Sequence, residues 1–158
     1  MLLQALTWLE ATRFSTWLVG SDTIWAYPTI LTLHTVGLAL LVGTSAALDL
    51  RLLGFGRRLP IASMASTFRI MWIGFWINAV SGAMLFAADA TTKGTTTIFQ
   101  IKLGLIVLGV INIFLIKRVV FGRDPETPVV GRRAQFLAVS SLAVWMIAIA
   151  LGRFMAYV

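Results

Sequence analysis

Four stretches of this chain, at about 24–48, 67–88, 97–120 and 134–157, are each long and apolar enough to cross a bilayer. A hydrocarbon core of about 30 Å is spanned by about 20 helical residues. In lipid, every backbone polar group must be bonded within the chain, so such spans are helices. Charged residues make up 12% of the chain and mean hydropathy is +0.91, whereas a soluble domain carries about 25% charged residues. The expected fold is an all-α integral membrane protein. Residues 1–158 form a single membrane domain, a four-transmembrane-helix bundle with no room for a separate soluble domain.

Ahead of the first span, residues 2–19 place Leu2, Leu6, Leu9, Arg13 and Trp17 at helical spacing, with Gln4, Glu10 and Arg13 interrupting the apolar run. This predicts an amphipathic interfacial helix over 1–20, with its tryptophans at headgroup level. Ser21 or Asp22 is expected to cap the next helix, and Pro28 falls in its first turn, where a missing N–H costs little. The start of the chain lacks a signal peptide's basic region and small-residue cleavage site, so insertion is expected to rely on the helices themselves.

Net charge is +7, but the basic residues lie at helix ends. That distribution is explained by membrane orientation and not by nucleic acid. Arg51, Arg57, Arg58, Arg69, Lys117, Arg118, Arg123, Arg132 and Arg133 are nine of the 13 basic residues, and they share one side; Arg13, Lys93, Lys102 and Arg153 are the four on the other. The positive-inside rule then predicts that the two basic loops face the cytoplasm and that both termini face outward. Cysteine is absent, which excludes disulfides, thiolate metal sites and cysteine nucleophiles.

The polar residues at membrane depth carry what functional signal there is. His34 is the only histidine, and an intramembrane ionisable group usually has a partner or a role. It can hydrogen-bond Asn78 or a carbonyl, ligate a cofactor, or transfer protons. Helical spacing predicts inward stripes: His34, Leu38, Leu41, Ser45 and Asp49 on the first span, and Gly74, Asn78 and Gly82 on the second. Lys102, Gly109 and Asn112 form that of the third, and Ser141, Trp145, Gly152 and Arg153 that of the fourth. Together they would line a polar-edged cavity open to the outer face. Lys102 and Arg153 lie close enough to that face to snorkel. Asp49 beside Arg51 predicts an interfacial ion pair or a helix-end charge. Trp145 is the deep tryptophan able to wall a planar ligand.

The run Leu33-His34-Thr-Val-Gly-Leu-Ala-Leu-Leu-Val-Gly43, ending in Asp49-Leu-Arg51-Leu, resembles the first core helix of HemJ-type protoporphyrinogen oxidases and CopD-like membrane domains. Phe99-Gln-Ile-Lys102-Leu103 resembles the opening of a later helix in that group, and the short motifs cover about a quarter of the chain. Most of the chain is similar to a bacterial family of small four-helix membrane proteins of unassigned function, which implies a bacterial inner-membrane location with both termini on the periplasmic side. The wider resemblance implies haem b, with His34 as the metal ligand, Asn78 orienting its other nitrogen, and Lys102 and Arg153 facing the propionates. With one histidine, a bis-histidine haem within one protomer is impossible. The implied alternatives are five-coordinate iron, a ligand such as Met84, or a haem shared across a dimer.

Three functions follow as expectations. The first is a haem-binding protein of redox or tetrapyrrole chemistry. The second is a non-catalytic subunit or packing protein of a homo-oligomer or larger membrane complex. The third is a small transporter or copper-handling protein, for which Met1, Met64, Met71, Met84, Met146 and Met155 would have to converge. Dimerisation would use Gly74 and Gly82, or Gly104 and Gly109.

Overall fold

The computed structural model describes residues 1–122, 124 and 127–155. The described elements are helices: α1 (Leu2–Glu10), α2 (Arg13–Gly20), α3 (Tyr27–Leu52), a short 3-10 turn (Ala62–Ser66), α4 (Thr67–Ala87), α5 (Ala90–Thr95), α6 (Thr97–Phe121) and α7 (Arg132–Phe154). Four are long and apolar enough to span a membrane: α3, α4 with its preceding turn, α6 and α7. The last span was expected to run to 157; residues 156–157 lie outside the described residues, as does Arg123.

The helices are held at close quarters where side chains are smallest. At Gly37 of α3, an added Cβ would come within 2.6 Å of the Asn78 amide nitrogen, and at Gly74 of α4 within 2.6 Å of that of Leu41. Only glycine permits two backbones to meet this closely. The glycines expected to serve dimerisation therefore act largely within the protomer. Gly109 lies under the Trp145 ring and Gly82 under His34, while only Gly104 of that set faces open space.

α7 packs against α3 and α6. α4 and α6 meet instead through aromatic rings: Phe68 on Phe121 at 5.6 Å, Trp72 on Phe114 at 5.1 Å and Phe86 stacked on Phe99 at 5.0 Å. The main core gathers Leu41, Leu48, Met71, Ile116 and Trp145. Outward faces carry Val36, Trp76, Val107 and Ile147, the apolar exterior a bilayer requires.

One end of the bundle carries the basic residues. There Gly54 and Gly56 turn the chain with φ of +99° and +61°, a region open mainly to glycine. Arg51 Nε donates to the Leu59 carbonyl at 2.7 Å and ties this loop down. The other end carries α1, α2 and α5.

The N-terminal segment departs from expectation in two ways. It is two helices, because Thr12 stops the first by donating to the Leu9 carbonyl and caps the second by accepting from the Ser15 amide. Neither Ser21 nor Asp22 caps α3; Ala26 stands at that position with no side-chain cap, and Pro28 removes one of the N–H groups that would need one. α1 and α2 are docked on the bundle. Ser15 Oγ donates to the Ala87 carbonyl at 2.9 Å, and Glu10 accepts from the Thr91 amide and hydroxyl at 2.7 Å each. Leu18 is fully buried.

Candidate functional site

His34 projects from α3 onto α4, one helical turn beyond the Gly37 contact. Its Nδ1 lies 3.0 Å from the Asn78 backbone carbonyl and 3.2 Å from Ser81 Oγ. A carbonyl can only accept, so Nδ1 carries the proton and Nε2 the lone pair. Ser81 donates back to the Ile77 carbonyl. In return, the Asn78 side-chain amide donates to the His34 backbone carbonyl at 2.9 Å. Asn78 and His34 thus clasp each other across the two helices, backbone to side chain in both directions. Nε2 is left with one long contact, 3.4 Å from Asn78 Nδ2.

Glycine makes this clasp fit. An added Cβ at Gly82 would meet the imidazole Cε1 at 3.0 Å, so the ring lies flat against the α4 backbone. Lys102 crosses from α6 to α7, where a Cβ on Gly152 would stand 3.2 Å from its Nζ. The ammonium groups of Lys102 and Lys93 are near enough to act electrostatically on the His34 ring. Lys93 is paired with Asp89 at 3.6 Å. Lys102 makes no ion pair among the described residues, and Arg153 is exposed at the end of α7.

The residues singled out from sequence therefore separate. His34 and Asn78 form one unit, Lys102 stands beside it, and Arg153 is at the rim. Trp145 is elsewhere: it is buried in the main core against Gly109. Ser45 and Ser141 touch at 3.3 Å; along the helices from that contact, Trp145 is about 6 Å and His34 about 16 Å towards the histidine end. About 10 Å of depth thus parts the two rings.

A haem needs an open axial nitrogen and a flat slot. Nε2 has the lone pair that the first requires, and its tautomer is held by a carbonyl, as for metal-binding histidines generally. Gly82 lies against the Cε1–Nδ1 edge of the ring, and the Asn78 side-chain amide stands 3.4 Å from Nε2. Met84 is packed with Leu18, Ala26, Ile30 and Leu85. Among the described residues, no three His, Cys, Asp or Glu side chains gather as a metal site. With one histidine in the sequence, the protomer offers one imidazole ligand. Among the described residues the soft ligands do not gather at one place: Met71, with Met64 packed against the same cluster, lies in one core, Met84 packs against the other and Met146 is on the exterior.

Spacing alone did not reveal a second polar unit. Asp49 is fully buried and makes no ion pair with Arg51, whose guanidinium is turned to the Leu59 and Arg57 carbonyls. The expected interfacial pair is thus corrected. α3 continues to Leu52, four residues past the expected end at 48, which carries Asp49 inside the bundle to face α7. The signal present in the sequence was its place on the Leu41–Ser45 stripe.

Compared with family models, curated proteins and solved structures, the chain matches none of them.

Proposed function

We propose that this protein is a non-catalytic integral-membrane subunit, a four-helix scaffold in which His34 is an interhelical clamp. The observation that carries this reading is the reciprocal pairing of His34 and Asn78. It bonds the Nδ1–H of His34 and the side-chain amide of Asn78, both half-buried, at the place where the glycines bring α3 and α4 together. The basic end faces the cytoplasm and both termini lie outside, in the inner membrane of a bacterium. α1 and α2 rest in the outer interface, where exposed Leu3, Trp8 and Trp17 meet the headgroup region. Partners are the bilayer and other membrane proteins or copies of the chain.

A second reading has one observation in its favour. The Nδ1–H bond to a carbonyl leaves His34 Nε2 as a metal-competent nitrogen, and Lys102 stands ready for an anionic group. Haem b, five-coordinate or shared between copies, would supply electron transfer or tetrapyrrole chemistry there.

One experiment separates the two. Absorption spectra of detergent-purified protein, oxidised and dithionite-reduced, are recorded with and without added haem, beside His34→Ala. The clamp reading expects no Soret band and a lower melting temperature in the variant. A Soret band that shifts on reduction and is lost in His34→Ala overturns it in favour of the haem reading.

A further inference from the structure

Asp49 is the one acidic side chain that is buried among the described residues, with 0% of its surface exposed. It lies three residues before the end of α3, about 5 Å from the basic end. Ser45 Oγ, one turn away, donates to its Oδ2 at 3.4 Å, and Ser141 of α7 is within hydrogen-bonding reach of the same carboxyl. Its Oδ1 has no hydrogen-bond partner among the described residues.

The charged groups of the surrounding elements do not answer it. These are Arg51 on α3, Arg69 on α4, Lys117 and Arg118 on α6, and Arg132 and Arg133 on α7. None makes an ion pair with Asp49, and the polar groups acting on it are the two serines. A bare carboxylate at this depth, without a cation, is prohibitively costly. A neutral acid serving only to hold helices together would have both oxygens bonded. Asp49 has one oxygen held and one open.

We infer that Asp49, with Ser45 and Ser141, forms an exchangeable proton-binding site inside the bundle, loaded from the basic end. An O–H bond forms at the carboxyl as hydronium gives up its proton and leaves as water. Release reverses this, and no electron moves. The occupant is a proton and not an alkali cation for two reasons. The side chains offer few oxygens for a metal shell, and the arginines around the entrance repel metal ions. The site lies in the opposite half of the bundle from His34 and does not depend on the role of that residue.

The test is carbodiimide labelling of the full-length protein in detergent, read by mass spectrometry across a pH series, beside Asp49→Asn and Ser141→Ala. Carbodiimides react with the protonated carboxyl. The expected result is a label on Asp49 at low pH that falls about tenfold per pH unit once the proton leaves and is indifferent to sodium. It is absent from Asp49→Asn, and its midpoint moves in Ser141→Ala. Over the same range the melting temperature of the natural protein falls relative to that of Asp49→Asn, because only the natural side chain becomes an unpaired anion. Suppression of the label by sodium at constant pH overturns the proton as occupant in favour of an alkali cation. Labelling and a melting-temperature difference that are both unchanged at every pH overturn exchange altogether, leaving a permanently neutral structural acid. No label at any pH, with the same constant difference, does so too.

Discussion

His34 and Asp49 lie on one stripe of one helix, yet the structure treats them in opposite ways. The histidine meets α4 where glycines bring two backbones together, and its Nδ1–H and backbone carbonyl both find partners. The aspartate meets α7, where Ser141 faces it beside Ser45 of its own helix, and its Oδ1 finds no partner among the described residues. A polar group in lipid acts as glue when its neighbour can answer it in full. When the answer is incomplete, it is left with chemistry to do. On the clamp reading proposed above, the residue most conspicuous in the sequence is held through its Nδ1–H with Nε2 at the edge of the clasp, and a less conspicuous residue of the same helix is fully buried with one oxygen open.

The comparison breaks first at the glycine crossing. Gly37→Leu would drive a side chain into the α4 backbone, and the expected cost is about 3 kcal/mol or more; loss of the monodisperse peak in size-exclusion chromatography checks it. If the variant elutes normally, the α3–α4 contact is not what positions the clamp. Next comes the clamp itself. Thermal unfolding in detergent should show a loss of about 1 kcal/mol in His34→Ala and again in Asn78→Ala, and nearly their sum in the double variant, because each side chain bonds a backbone carbonyl that the other substitution leaves in place. No loss in either single variant would mean that the two residues do not hold the helices together.

A smaller effect is expected from Glu10→Gln. It weakens the hold of α1 on α5 by about 1 kcal/mol, seen as faster proteolysis of the N-terminal helices with the spanning bundle intact. Smallest is Gly104→Ala, which meets nothing within 4 Å and should change stability by less than about 0.5 kcal/mol. Set beside Gly37→Leu, it tests whether glycine matters here by contact or merely by composition.

Much of the bundle was legible in advance, because apolar length and helical period are local properties. The stripe through Leu41, Ser45 and Asp49 is the buried face of α3, and Gly74 lies on the buried face of α4. Trp145 was legible as deep but not as remote from His34. Spacing along a single helix says nothing about which neighbour stands opposite. The break at Thr12 was hidden for a different reason: one hydroxyl both stops α1 and caps α2, and periodicity continues through it.

The sequence by itself determined the number of spans, most of their inward faces though not that of Arg153, the clustering of basic residues at one end and the presence of one imidazole at membrane depth. These follow from 1.5 Å of rise and 100° of turn for each residue, at about 3.6 residues per turn. Only the tertiary structure decided that His34 is held as a donor from Nδ1, that Asp49 lies among serines and not beside an arginine, and that Trp145 belongs to the core. Those outcomes depend on how far each helix is shifted and rotated against the next. That offset is set where Gly37 meets Asn78 and Gly74 meets Leu41, contacts between backbones that no single helix specifies alone.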